Sequence, residues 1–303
     1  MKYVELEFEA ETDGPRSSLP PFLGATIRGA LGYLLKQSVC QIAHGDCRRC
    51  VLHTVCAYTA IFEGLAPQGR EIMRKYDKIP QPFVLLVPEP KACRDESSVL
   101  NWGVRLFGEA TRYWPYLVHV FQIAGERGLG RLAVTYRLRQ VTDRLGNVRL
   151  WSPEGCPGGQ PTVQEIPTTS LNPPDRQAIR WKFRTPVRVP RASGRLVGLD
   201  LVLAGRRRFC IMDYFYGGHV AKPNQDDRVE AEEFTTIESR LRPWRLDRYS
   251  GRQRQRMSLD GLLGDIVIEG PWSKSGAWFH AVPFLHLGKA TSFGFGRVAW
   301  EVV

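Results

Sequence analysis

The amino-acid sequence predicts an α+β protein made of two tandem β-α-β-β-α-β units. Both halves repeat the order strand, helix, strands, helix and final strand, and in each the motif Gly-x-Gly-Arg precedes the final strand. Gly128–Arg131 carries this motif in the first half and Gly294–Arg297 in the second. A chain of 303 residues is also long enough for two domains, each with its own core. We therefore expect a first domain at 1–145, an irregular linker at 146–177 and a second domain at 178–303.

The first half begins with an alternation of polar and apolar residues over 2–10, which predicts a strand. Pro20 and Pro21 then precede apolar residues at helical spacing, so a helix is expected through about residue 35. The remaining predicted elements are, in order, a proline-bounded buried strand at 82–88, a helix from about Asn101 to Gly125 and a strand at 132–141.

Residues 142–178 are rich in glycine and proline, which places the connection between the domains there. The second half opens with a strand at 178–185 that Pro186 closes. The elements expected after it are a helical stretch over 196–212, a strand at 264–270, a helix from about Ala277 to Leu287, a glycine-rich loop and a closing strand.

The net charge of +11 is concentrated in one part of the chain. Residues 176–256 contain 19 Lys and Arg against 9 Asp and Glu, a difference of 10. Such a surplus predicts a polyanionic partner, and nucleic acid is the natural one. The alternative is a basic surface with no specific partner.

The chain shows no sign of a membrane or an export route. No apolar run approaches the roughly 18 residues that span a bilayer, and the N-terminal residues lack the apolar core of a signal peptide. We therefore expect a cytoplasmic protein without a membrane partner. Seven cysteines in such a chain also argue against a disulfide framework.

Three glycines near the C-terminus, Gly288, Gly294 and Gly296, enclose Lys289 and two hydroxyl residues, of which Ser292 is one. Arg297 follows directly. Glycine lets the backbone approach a ligand closely, while the two cations supply charge for phosphate. The segment lacks the residue order of a P-loop and the helix that follows one. It is a candidate binding loop for a nucleic-acid backbone; the alternative is a tight hairpin turn.

Two arginine-rich segments add to this prediction. One places seven arginines within seventeen residues, together with Trp244 and Tyr249: Arg240, Arg242, Arg245, Arg248, Arg252, Arg254 and Arg256. Charge combined with stacking aromatics suits an RNA stem and its flanking single strand. The run Arg206, Arg207 and Arg208 offers a second patch. The alternative for both is a solvated charged face.

Four cysteines lie close together in the first half. Cys40, Cys47, Cys50 and Cys56 are separated by six, two and five residues, and thiolates at such spacing can close a tetrahedral site that stabilises a short insertion. The sequence thus predicts one structural zinc, with the nearby histidines as spare ligands. Four ordinary thiols are the alternative.

Several blocks of the chain together resemble the CRISPR precursor-RNA-processing endoribonucleases of the RAMP superfamily, in particular their cysteine-containing branch. The blocks are Leu23–Leu31 with Arg28 and the four cysteines, Gly125–Arg131, Trp244–Gln253, Leu262–Gly264 and His286–Arg297. The resemblance implies two ferredoxin-like (RRM-like) domains, a basic cleft for CRISPR repeat RNA and metal-independent cleavage without a catalytic cofactor. It also implies retention of the product hairpin and transfer of the guide RNA to other subunits of an effector complex. The alternative is a non-catalytic RNA-binding RAMP subunit.

Metal-free RNA cleavage uses the 2′-hydroxyl of the substrate and leaves a 2′,3′-cyclic phosphate, so the protein must supply a base, an acid and a cation. In relatives an acid/base histidine often lies on or just after the first helix. This chain has Tyr33, Lys36 and His44 in that region. His286, beside the glycine loop, is the rival, and a cluster of Arg28 and Lys36 without histidine is a further alternative.

Overall fold

The structure, a computed structural model, describes residues 1–42, 46–90, 97–157, 159–167, 176–190, 195–219, 231–250 and 255–303. The chain forms two compact units, Met1–Gln164 and Glu165–Val303. The predicted irregular linker at 146–177 contains two short strands, both of which join the sheet of the first unit. Among the described residues, no helix is both long and apolar enough to cross a bilayer.

The first unit is an antiparallel sheet with two helices. Its elements are β1 (Lys2–Thr12), α1 (Gly24–Val39), β2 (Phe83–Leu86), β3 (Val99–Phe107), α2 (Trp114–Arg127), β4 (Tyr136–Asp143), β5 (Val148–Trp151) and β6 (Gln164–Glu165). The strands follow the order β2-β3-β1-β4-β5, and β6 pairs with β1. The first four strands therefore have the arrangement of a ferredoxin-like domain, with the first and third strands in the centre.

Aromatic side chains fill the core of the first unit. Phe8 of β1 stacks on Trp102 of β3 with ring centroids 5.3 Å apart, and it meets the edge of Phe121 from α2 at 4.8 Å. Gly125 lets α2 approach β4, because a Cβ there would lie 2.4 Å from the carbonyl oxygen of Tyr136. These contacts fix α2 against the sheet.

One predicted helix of the first half is wrong at its start. The sequence predicts helix from about Asn101, but residues 99–107 form strand β3 and α2 begins only at Trp114. Strand β3 lies between β1 and β2, and all its residues from Trp102 to Phe107 are buried. A strand that is buried on both faces has no alternation of polar and apolar residues, so the sequence pattern cannot distinguish it from a buried helix.

The second unit repeats the same arrangement. Its elements are β7 (Gln177–Val187), α3 (Gly198–Met212), β8 (Thr235–Ser239), β9 (Arg242–Ser250), β10 (Gln255–Gly270), α4 (Ala277–Leu285) and β11 (Val298–Val302). The sheet order is β11-β7-β10-β8, with β9 paired to β10. Both units are thus ferredoxin-like, which confirms the fold class expected from the sequence.

The core of the second unit is built around tryptophans. Trp181 of β7 lies 5.9 Å from Trp272, whose ring is 4.9 Å from Phe279 of α4, and all three side chains are buried. This cluster fastens α4 to the centre of the sheet, and so it positions the loop that leads from α4 to β11.

Strands β9 and β10 form a long hairpin that leaves the sheet. Register runs from Arg242 opposite Leu263 to Ser250 opposite Gln255, whereas β10 pairs with β7 only from Leu262 onward. The pairing between β10 and β7 shifts between Leu262 and Gly264, and such a bulge bends a strand and redirects it. We call β9 together with residues 255–263 of β10 the arginine arm.

Candidate nucleic-acid interface

The glycine loop, residues 286–297, joins α4 to β11 in a conformation that requires glycine. Gly288, Gly294 and Gly296 have φ angles of 84°, 83° and 72°. Residues other than glycine rarely adopt such values, because their Cβ clashes with the backbone. A Cβ at Gly288 would lie 2.4 Å from the carbonyl oxygen of Arg188, and one at Gly296 only 1.9 Å from that of Leu287. The glycines therefore let the loop pass close to the end of β7 at Gly288 and close to its own start at Gly296.

Hydrogen bonds hold the glycine loop on β7. The N–H of Lys289 donates to the carbonyl of Arg188 at 2.8 Å, and the N–H of Gly296 donates to that of Pro186 at 2.8 Å. The hydroxyl of Thr185 donates to the Gly294 carbonyl at 2.6 Å. Because these N–H groups are occupied within the unit, the cationic side chains are better placed than these amides to contact phosphate.

The predicted binding residues of the glycine loop divide into exposed and buried ones. The side chains of Lys289 and Arg297 are exposed. Ser292 is only 6% exposed, so its hydroxyl does not face solvent. The loop thus presents two cations on a rigid backbone.

His286, the rival catalytic residue, lies inside the second unit. It is 0% exposed, with a φ of 58°, and its Nδ1 is 3.1 Å from the carbonyl oxygen of Phe295. Phe295 is itself fully buried. In this position His286 holds the two ends of the glycine loop together and has no exposed atom with which to reach a substrate.

The predicted patch Arg206–Arg208 is wrong for two of its three residues. Arg206 and Arg208 are 6% and 7% exposed, and only Arg207 faces solvent. The Nε and Nη2 of Arg208 both donate to the carbonyl of Leu285 at 3.2 Å, at the end of α4. Burial lowers the pKa of Arg208 to about 10. Consecutive residues of a helix point in different directions, so three adjacent arginines on α3 cannot share one face.

The arginine arm presents exposed cations beside the glycine loop. Arg242 and Arg245 are exposed, and the Nε of Arg245 donates to Asp260 at 3.1 Å across the two strands. Trp244 lies at the base of the arm, where its ring meets the edge of Phe295 at 5.8 Å. This contact joins the arm to the glycine loop. Together, the two features form the candidate RNA-binding surface of the second unit.

The tip of the arginine arm is only partly described. Arg248 and Arg256 occupy positions on β9 and β10, where they pair with Met257 and Tyr249. Arg252 and Arg254, also predicted to bind RNA, lie outside the described residues.

The predicted residues of α1 face in two directions. Tyr33 is 61% exposed, and its hydroxyl accepts a hydrogen bond from Nε2 of Gln37 at 2.8 Å. The guanidinium of Arg28 lies 4.5 Å from the ring centre of Phe62, and the Nζ of Lys36 lies 5.6 Å from that of Tyr58. The three side chains therefore do not form one cluster. His44 lies outside the described residues.

The four clustered cysteines are free and partly exposed. Burial raises the pKa of the Cys47 thiol. The charge of Lys36 acts in the opposite direction, and Glu63, Cys40 and Cys56 raise the pKa further. These influences place Cys47 near the other two thiols. Within the described ranges, however, no three His, Cys, Asp or Glu side chains are arranged to hold a metal ion.

Another acid/base pair was not predicted from the sequence. Nδ1 of His219 lies 3.0 Å from Oδ1 of Asp213, which is buried at the end of α3, while the His219 ring is exposed. A carboxylate at this distance orients an imidazole and selects its tautomer. Two residues six apart in sequence give no periodic signal, so only the turn after α3 reveals the pair.

Comparisons with known proteins agree with the two-unit architecture. Residues 1–163 match the family model AF_1859_N, described as an N-terminal domain, and residues 181–298 match the model described as CRISPR-associated endoribonuclease Cas6. An uncharacterized protein of Archaeoglobus fulgidus is 24% identical over 140 residues, which cover 46% of each sequence. The chain thus spans about half the length of this curated relative.

Solved structures share the fold over the whole chain. A Cas6 product complex matches with a TM-score of 0.56 and 14% identity, covering 99% of this chain and 100% of the other. Cas6 of Thermus thermophilus matches with a TM-score of 0.52 and 14% identity, over 99% and 98%. A chain of a partial Cas6-RT-Cas1–Cas2 complex matches with a TM-score of 0.52 and 11% identity, over 100% of this chain and 46% of that one.

The chain thus has two ferredoxin-like units, and a glycine loop precedes the last strand of the second. The chain belongs to the family of the AF_1859_N model, which matches residues 1–163, and its second unit is similar to the model described as CRISPR-associated endoribonuclease Cas6 over residues 181–298.

Proposed function

We propose that this protein is an endoribonuclease that binds CRISPR repeat RNA and cuts it without a metal ion. The observation that carries the proposal is the Cas6 domain of the second unit, whose glycine loop and arginine arm present exposed cations next to each other. The loop supplies Lys289 and Arg297, and the arm supplies Arg242 and Arg245. Arginine and lysine at such a surface bind phosphate and make affinity depend on salt.

In the proposed reaction the 2′-oxygen of the substrate attacks the adjacent phosphorus while a base removes the 2′-hydroxyl proton. The bond from phosphorus to the 5′-oxygen breaks, and an acid donates a proton to that oxygen. The products carry a 2′,3′-cyclic phosphate and a 5′-hydroxyl. The protein must also stabilise the additional negative charge on phosphorus in the transition state, which cations and preorganised donors do.

We assign the proton transfers to the α1 region, with His44 as the first candidate and Tyr33 and Lys36 as assistants. Tyr33 supports this assignment because its hydroxyl is exposed at the surface of the helix. Lys36 lies beside Tyr58 and lowers the pKa of the Cys47 thiol, so it contacts the segment that follows His44 in the sequence. The burial of His286 argues against the rival assignment.

We also propose that the protein keeps its product hairpin and acts with other CRISPR proteins. Many phosphate contacts on a rigid loop and arm favour slow release of a folded RNA. One matched structure is a product complex of Cas6, and another is an assembly of Cas6, RT, Cas1 and Cas2. Other subunits of an effector complex are therefore the protein partners to test by co-purification.

The test is incubation of the protein with end-labelled CRISPR repeat RNA in EDTA, under single-turnover conditions. We expect one cut within the repeat and a product that stays bound in a gel-shift assay. A variant with His44 replaced by Ala should bind the RNA and leave it largely uncut. Tight binding without any cut by the wild-type protein would instead indicate an RNA-holding RAMP subunit, and absence of binding would reject the RNA proposal as a whole.

A further inference from the structure

A groove of about 570 Å³ lies in the second unit where the arginine arm leaves the sheet. Its apolar walls include Val187, Leu196 and Trp244. Arg188 and Arg245 carry its positive charge. The volume falls within the range of about 300–1,000 Å³ that is common for small-molecule sites.

The position of the groove follows from the backbone around it. Gly261 of β10 pairs with Trp244 of β9, and a Cβ at Gly261 would lie 2.9 Å from Cβ of Pro186. Glycine therefore lets the base of the arm pass close to β7 and leaves open space beside it. The ring of Trp244 packs on the ring of Phe295 in an edge-to-face arrangement, and this contact with the glycine loop fixes the position of Trp244 at the groove.

The charges around the groove are held in place. Asp260 accepts a hydrogen bond from the Ser258 hydroxyl at 2.6 Å and one from Arg245 at 3.1 Å. The carbonyl of Arg188 accepts from the N–H of Lys289, so the groove borders directly on the glycine loop. A ligand here meets an aromatic ring, apolar walls, two guanidinium groups and the Asp260 carboxylate that pairs with Arg245, with the cation of Lys289 adjacent.

These features match one unstacked nucleotide of a single-stranded RNA. We propose that the groove binds the base of such a nucleotide against Trp244, with Arg188 and Arg245 on the flanking phosphates. Aromatic side chains bind bases of single strands by stacking, and guanidinium groups contact the backbone between them. The inference rests on the proposed RNA-binding function and adds a base-stacking subsite to it, outside the residues assigned to proton transfer.

Fluorescence anisotropy with eight-nucleotide RNAs tests the groove. The probes are A8, C8 and U8, compared with an eight-residue ribose-phosphate strand that has no bases. We expect wild-type protein to prefer the best base-containing probe over the abasic strand by about 5- to 150-fold, the effect of stacking one base. In Trp244→Ala this ratio should fall close to one, while affinity for the abasic strand stays the same. Glu301→Gln, which removes an exposed carboxylate paired with Lys182 on the far edge of the sheet, is the matched control and should keep the wild-type ratio.

An unchanged ratio in Trp244→Ala would overturn the inference, as would a wild-type ratio near one. Binding of AMP as tight as that of A8 would place a free nucleotide in the groove and overturn it too. Ultraviolet crosslinking of an eight-residue RNA that contains one 4-thiouridine gives a second test without substitutions, and we expect crosslinks at Trp244 or the other groove residues. Crosslinks only elsewhere contradict the subsite, even when repeat RNA is bound and cut, so the two proposals fail separately.

Discussion

At the scale of single residues, Gly296 shows how closely the glycine loop depends on its backbone. Its φ of 72° and the 1.9 Å contact that a Cβ would make leave no room for a side chain. We expect Gly296→Ala to lower the free energy of unfolding by at least the roughly 1–3 kcal/mol that a residue in such a conformation costs.

Gly29→Ala is the matched control for this prediction. Gly29 lies in α1, and a Cβ there has no atom within 4 Å. Because alanine favours helix over glycine, Gly29→Ala should raise the free energy of unfolding by about 0.5–1 kcal/mol. Urea denaturation measures both variants. Equal stability of Gly296→Ala and wild type would show that the loop adopts another conformation.

Substitutions of single histidines distinguish a catalytic role from a structural one. His44→Ala should slow single-turnover cleavage by about 10²–10⁴-fold with little change in RNA affinity, the usual contribution of one general acid or base. His53→Ala is the matched control, because His53 is exposed in the same cysteine segment with its Nδ1 2.8 Å from the Cys50 carbonyl oxygen. It should cut at the wild-type rate.

His286→Ala should instead lower the melting temperature, because it removes a buried side chain from the loop. The protein that remains folded should still cut RNA. If His44→Ala cuts normally while stable His286→Ala does not, the catalytic centre lies at the glycine loop and the assignment to the α1 region is wrong. If neither matters, a mechanism with arginine and lysine alone, or a role in holding RNA, explains the protein better.

At the scale of elements, the arginine arm concentrates positive charge on a hairpin that extends beyond the sheet. Replacement of Arg252 and Arg254 by Glu should weaken hairpin RNA binding by orders of magnitude, because it removes two cations and adds two negative charges. Each lost phosphate contact should also reduce the slope of log K against log salt concentration by about 0.7–0.9. Gel-shift titrations at several salt concentrations measure both effects. The same change at Arg131 and Arg149, exposed residues of the first unit, is the control. Unchanged binding by the Arg252 and Arg254 variant would show that these two arginines do not contact the RNA.

The cysteine segment between α1 and β2 carries the prediction of a structural zinc. Elemental analysis of protein purified without added metal should find about one zinc per chain, and removal of the metal should lower the melting temperature, because metal binding contributes to folding. Ser at both Cys47 and Cys50 should abolish the zinc signal. A fully stable protein without zinc would identify the four cysteines as ordinary thiols.

The sequence predicted elements best where its pattern reflects one buried face. Residues 2–10 alternate and form most of β1, and α1 and α4 also lie where they were expected. Strand β3 was missed because burial of both faces removes the alternation. The charge of Arg206 and Arg208 suggested a surface, yet α3 turns these residues inward, where Arg208 binds the last carbonyl of α4. Composition alone cannot reveal which way an arginine side chain points from a helix.

At the scale of the whole molecule, the internal repeat was the most informative signal. The motif Gly-x-Gly-Arg occurs at the same point of both units, and each unit has the ferredoxin-like strand order. What the repeat could not predict is how the second unit differs from the first. The hairpin of β9 and β10, the base of which borders the groove, pairs residues that are close in sequence, but a comparison of the two halves gives no signal for it.

The most direct test of the central claim is cleavage of a repeat RNA in which a single 2′-hydroxyl, that of the nucleotide 5′ to the cut, is replaced by hydrogen. In EDTA the protein should bind this RNA as tightly as the unmodified one and leave it uncut, because the attacking oxygen is missing. The unmodified RNA should yield a fragment whose mass shows a 2′,3′-cyclic phosphate. Cleavage of the deoxy-substituted RNA at the same position would contradict attack by the 2′-hydroxyl and, with it, the proposed mechanism.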